Sequence, residues 1–247
     1  MLAVLTLTAC GQSDGGQPAL RTQLSGETTV FAAASLTKVF TDLGRQFELQ
    51  HPGTTVTFSF GASSGLAQQV LAGAPADVFA AASRKNMDHV VASRSITDAR
   101  SFASNVGQIA VTPSAAKKVT SLADLAMPGV KVALCQPEVP CGVLAQEVLR
   151  KAAVRTTPVT LGLDVKSTLA NVVSGEVDTA IVYVTDVLAA GNKVVGVPIP
   201  AAVNASTPYL IGTISASDNP LLARAFADYV LAPAGQDKLR KSGFSPP

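Results

Sequence analysis

From residue 28 onward, apolar positions follow two alternating rhythms. Val30 to Ala34 form a short apolar run, and a strand is predicted over 28–33. Leu36, Val39, Phe40, Leu43 and Phe47 then recur at three- and four-residue steps, which predicts a helix over 36–50. Read the same way, strands fall at 54–60, 77–81, 108–112, 131–134, 159–161, 179–184, 193–197 and 209–214. Helices fall between them at 66–72, 84–93, 142–153, 166–174, 221–231 and 233–241, with a helical turn running to residue 190. Gly73, Gly175 and Gly243 stand where helices stop, and Asn219-Pro220 stands where one starts. Ser121 and Asp124 have capping-box spacing and predict a short helix there. Such alternation predicts an α/β architecture with mostly parallel sheets, and the length suits two lobes. Stretches 104–106 and 206–208 are the candidate crossings between them. No internal repeat is evident.

Composition narrows the function. Of 247 residues, 47% are hydrophobic, enough for substantial cores. A net charge of +2 from 19 basic and 17 acidic residues argues against nucleic-acid binding, which needs clustered Lys and Arg. Leu2 to Ala9, the longest strongly apolar run, is too short to span a bilayer. Leu7-Thr8-Ala9-Cys10 looks like a bacterial lipobox, which would place a lipid on Cys10. No basic residue precedes it, and the other reading is a chance apolar N-terminus. Residues 11–27 are rich in Gly, Gln and Ser and read as a tether. Cys135 and Cys141 flank a Pro-containing loop. In an exported protein they can bridge; otherwise they are two small hydrophobes. With no Cys-x2-Cys pair and only His51 and His89 as nitrogen ligands, a zinc site is not indicated.

Candidate chemistry gathers at strand-to-helix corners. Ser35 sits at an expected helix N-cap beside free main-chain N–H groups. Gly61-Ala62-Ser63-Ser64-Gly65 has the form of a hydrolase nucleophile elbow, with Ser63 as nucleophile. A histidine base would have to follow it, and the C-terminal half contains none. The alternative is a second helix start offering hydroxyls and N–H groups. Cys141 follows Pro140 at a third corner, and Val165 follows Asp164 at a fourth; Asp164 must point away if an anion binds there. Tyr183 ends an apolar strand, where ligands of open α/β sheets bind. All these groups are neutral donors. Desolvating a dianion costs on the order of tens of kcal/mol. Each charge-assisted hydrogen bond returns roughly 1.5–3 kcal/mol, so several must converge.

Val30 to Leu36, Phe60 to Ala67, Gly73 to Phe79, Val139 to Gly142 and Ile181 to Tyr183, with Pro233 to Gln236 and Gly243-Phe244, resemble the molybdate-binding proteins of molybdate ABC transporters. The resemblance covers about residues 28–244. It implies a two-lobed type II periplasmic-binding fold with the ligand cleft between lobes, divided as 28–104 and 208–247 for one lobe and 105–207 for the other, after a signal and tether over 1–27. It implies a non-enzymatic, monomeric, exported protein that needs no cofactor. Such a protein would bind molybdate, and tungstate with it, and deliver it to a membrane permease from a lipid anchor on Cys10. Ser35, Ser63 and Tyr183 then supply side-chain donors, and Cys141 and Val165 supply main-chain N–H donors. Two positions depart from the family pattern: Cys at 141, and Gln136 where an Asp is expected. A donor-only site suits a fully deprotonated anion; sulfate differs mainly in size and stays open as a ligand.

Overall fold

Successive residues of a strand point to opposite sides of its sheet, and here both sides are covered. In the computed structural model, which describes residues 24–247, Val30 and Ala32 of β1 (Gly26–Ala33) pack with Val39, Phe40, Phe47 and Phe226. Phe31, between them, packs with Leu66, Val70, Phe79 and Met87. Burial on both faces explains why this strand reads as a continuous apolar run rather than as an alternation.

The first part of the chain runs β1, a 3-10 turn (Ala34–Leu36), α1 (Thr37–Gln50), β2 (Thr54–Gly61), α2 (Ser63–Leu71), β3 (Val78–Ala81) and α3 (Arg84–Ala92). β4 (Arg100–Val111) leads into β5 (Val132–Cys135), α4 (Pro140–Lys151), β6 (Thr160–Gly162), α5 (Val165–Val173), β7 (Thr179–Tyr183), α6 (Val184–Ala190) and β8 (Val195–Pro198). β9 (Ser206–Thr213), α7 (Pro220–Leu231) and α8 (Pro233–Lys241) close it. The strand order is β2-β1-β3-β9-β4-β7-β5-β6, with β8 also on β4. Pairings among β1, β2 and β3, and among β5, β6 and β7, are parallel. Those made by β4 and β9 are antiparallel. A second core, with Ile109, Leu144, Val148, Leu169 and Ile181, lies under β4, β5 and β7. This is the α/β architecture that the alternation predicts.

Several expectations need correction. Stretches 104–106 and 206–208, expected as crossings between lobes, are strand rather than irregular connection: they belong to β4 and β9, which pair with each other there. β4 stays on β9 through Val106 and meets β7 from Gly107, so one strand joins the two sheets. Arg100, Ser101, Ser104 and Asn105 hid the first half of β4, because partner strands supply pairing that its polar side chains do not advertise. The helix expected at Ser121 is a 3-10 turn (Ala123–Ala126), with the Asp124 carboxylate accepting from the N–H groups of Thr120 and Ser121. Helices α2, α4 and α5 begin one to three residues earlier than their apolar periodicity does, because their first turns face a cavity. Gly26 and Glu27 belong to β1 rather than to the tether. Cys10, its lipobox and the rest of the tether up to residue 23 lie outside the described residues. Among the described residues, no helix is long and apolar enough to cross a membrane.

Candidate functional site

Strands β1, β2, β5, β6 and β7 all deliver their C-terminal ends to one small cavity. Ser35, Ser63, Cys141, Val165 and Tyr183 all line it. Each is buried, from 0% exposed at Ser63 to 6% at Ser35. The cavity volume is about 20 Å³, far below the roughly 300–1,000 Å³ of pockets for organic ligands. No Lys, Arg or His lines it. Its one charged neighbour is Asp164, whose carboxylate turns to the helix and accepts from the Ser167 N–H at 2.8 Å. That bond ties one carboxylate oxygen to the first turn of α5, while Asp164 remains among the lining residues.

Helix starts carry the electrostatics. The 3-10 turn, α2 and α4 all begin without a side-chain cap. By contrast, α3 and α7, which start elsewhere, are capped by Ser83 and Asn219. First-turn N–H groups have no partner inside their helix, so three uncapped starts direct unpaired donors at the cavity. In α4 the first position is Pro140, which has no N–H, and Cys141 supplies the first donor. In α5 the Asp164 cap takes only the third N–H, which leaves that of Val165 free.

Side chains complete the wall. Ser35 is not the N-cap the sequence suggests. It lies inside the 3-10 turn, between Ala33 and α1, and its hydroxyl bonds Tyr209 Oη at 2.7 Å. Ser63 Oγ accepts from the Ala82 N–H at 2.9 Å. It has no base: His51 packs on Phe47 with ring centroids 4.4 Å apart, and His89 is exposed on α3. Tyr183 Oη is buried and makes no hydrogen bond of acceptable geometry. Burial pushes this phenol well above its ordinary range; the nearby Thr207 hydroxyl pulls it down in part, and the Asp186 carboxylate adds to the rise. A buried hydroxyl left unpaired costs about 1–3 kcal/mol, and a ligand oxygen would remove that cost.

The Cys141 corner is fixed by its backbone. A Cβ on Gly142 would overlap the Gln136 carbonyl oxygen, so only glycine lets residues 136–139 fold onto α4. Cys135 and Cys141 are joined by a disulfide, with Cα atoms 5.8 Å apart. The sequence reading missed three supports. Tyr209 lies behind Ser35 and would have been found by the rule that selected Tyr183, a phenol in an apolar strand. Asp186, fully buried, accepts from Lys166 Nζ at 2.9 Å and from the Tyr183 N–H at 3.2 Å, tying α5 to α6. Burial raises the Asp186 carboxyl against the pull of Lys166. Asn105 bonds Tyr209 from β4. Nothing in the sequence pattern marks Asp186 or Asn105.

Over residues 28–245 the chain matches the family described as bacterial extracellular solute-binding proteins. The chain belongs to that family. Members of this bacterial extracellular solute-binding family are exported and hold solutes rather than transform them, so the nucleophile-elbow reading of Ser63 does not carry over to this non-enzymatic protein. The molybdate-binding protein ModA of Mycobacterium tuberculosis is 39% identical over 248 residues, covering 100% of this chain and 95% of that protein. The periplasmic molybdate-binding protein of Azotobacter vinelandii superposes with a TM-score of 0.80 at 19% identity, over 89% of this chain and 99% of that one. The sulfate-binding protein SubI of Mycobacterium tuberculosis gives 0.75 at 20% identity, over 89% and 86%. Two proteins named for different oxyanions share this fold, so the ligand must be argued from the cavity.

Proposed function

We propose that this protein binds molybdate, and tungstate with it, between its two lobes and delivers it to an ABC transporter permease. The reading rests on one observation: Ser35, Ser63, Cys141, Val165 and Tyr183 meet at a buried cavity that offers donors and no cation. Five hydrogen bonds to a dianion, at roughly 1.5–3 kcal/mol each, offset a large part of its desolvation cost. Helix starts add to this without a counter-charge. The name of the 39% identical relative favours molybdate over other dianions. Residues 28–104 and 208–247 form one lobe in this reading and residues 105–207 the other, with closure over the ligand. Cys10 carries a lipid that anchors a monomer at the outer face of the membrane. The bridge between Cys135 and Cys141 keeps the Cys141 N–H in place.

Calorimetry with molybdate, tungstate, sulfate and phosphate tests the proposal. Molybdate and tungstate should bind tightly, sulfate more weakly and phosphate least. Preference for sulfate would replace the molybdate reading with a sulfate one, and no heat with any of the four would remove both.

A further inference from the structure

Tyr209 and Asn105 sit on β9 and β4, the strands that join the two sheets. Both are buried, at 0% and 1% exposed. Asn105 Oδ1 accepts from the Val106 N–H at 3.0 Å. A main-chain N–H only donates, so this bond fixes the amide's orientation. The other end, Nδ2, then faces Thr185 Oγ1 at 2.8 Å and Tyr209 Oη at 3.5 Å. An amide NH2 group has no lone pair to offer. The Tyr209 oxygen therefore receives, and its single proton is left for Ser35 Oγ, 2.7 Å away. The Ser35 oxygen receives in turn, and its own proton is left for the cavity.

We infer that Tyr209, oriented by Asn105, is a positioning residue that holds the Ser35 hydroxyl as a donor toward the cavity and so selects dianions without a proton over dianions that carry one. This rests on the oxyanion reading above and deepens it. Ser63 also receives a donor from behind, the Ala82 N–H, which takes one of the two lone pairs of its oxygen. Both serines thus have a donor behind them, and at Ser35 the relay also directs the proton forward. An anion bearing an O–H needs an acceptor, and a hydroxyl free to rotate would supply one. With Tyr209 in place, Ser35 is not free.

The test is calorimetry on the full chain at a mildly alkaline pH, where molybdate and hydrogen phosphate are both dianions and only the second carries a proton. Phosphate affinity is read by competition. Tyr209→Phe should weaken molybdate binding about tenfold, the share of one charge-assisted hydrogen bond. It should also narrow the molybdate-to-phosphate ratio. In a Ser35→Ala background, Tyr209→Phe should change neither quantity further. An equal loss in both backgrounds would show a structural role only, and an unchanged ratio would overturn the selection claim. If thermal melting shows that Tyr209→Phe does not fold, Asn105→Asp replaces it. That change turns the first donor of the chain into an acceptor and should narrow the ratio in the same way. Wild-type protein that binds molybdate while the variants keep its ratio refutes this inference alone. Wild-type protein that binds neither anion refutes the oxyanion reading and this inference together.

Discussion

The two walls of the cavity present donors of different kinds. On one wall Ser35 and Ser63 add hydroxyls, each with its oxygen already engaged from behind, to the main-chain N–H groups at the starts of the 3-10 turn and α2. On the other, Cys141 and Val165 present main-chain N–H groups at the starts of α4 and α5, and their side chains pack into the core. Tyr183 adds a phenol from the end of β7. The first wall depends in part on side-chain identity. The second depends on the path of the backbone, and so on residues that never touch a ligand: Pro140, Gly142, Asp164 and the 135–141 bridge.

Substitutions on the two walls should therefore behave differently. Gly142→Ala should have the largest effect. Its Cβ meets main-chain atoms of residues 135 and 136, which cannot swing aside. The start of α4 must shift, and molybdate affinity should fall more than a hundredfold, measured by calorimetry on protein shown to be folded by circular dichroism. Next comes Tyr183→Phe. Losing one donor to a charged ligand should cost about 1.5–3 kcal/mol of binding, or roughly ten- to a hundredfold. Removing a buried hydroxyl that has no partner should leave the ligand-free melting temperature unchanged or raised. A lower ligand-free melting temperature would contradict the assignment of that hydroxyl to the ligand. The sharpest contrast pairs Ser63→Ala with Val165→Ala. The first should weaken binding about tenfold or more. The second should change affinity less than about threefold while costing roughly 1–2 kcal/mol of stability through lost packing. Equal affinity losses would erase the difference between the walls.

That difference also decides what the sequence could reveal. Val30–Leu36 announced a strand running into a helix, and the apolar face from Leu36 to Phe47 set the start and direction of α1. Ser35 and Ser63 were legible because a polar residue at such a corner is conspicuous. Cys141 and Val165 were marked only by their neighbours Pro140, Gly142 and Asp164 at helix starts, since any side chain leaves the N–H in place, and resemblance to a family assigned them as donors. The crossing strands were hidden for another reason. β4 and β9 gain their stability from pairing across the molecule, so polar Ser104, Asn105 and Ser206 gave no apolar signal. Asn105 and Tyr209 are 104 positions apart, and their bond exists only after that pairing. The apolar pattern places Ser35 at a cap because it cannot separate a helix start from a 3-10 turn one residue earlier.

The most direct measurement is diffraction from crystals grown with molybdate, using the anomalous signal of molybdenum to locate the metal. The peak should lie inside the cavity, with oxygens about 2.7–3.2 Å from the hydroxyls of Ser35, Ser63 and Tyr183 and the N–H groups of Cys141 and Val165, and no Lys or Arg in contact. A peak elsewhere, or an anion held by a cationic side chain, would contradict capture by neutral donors.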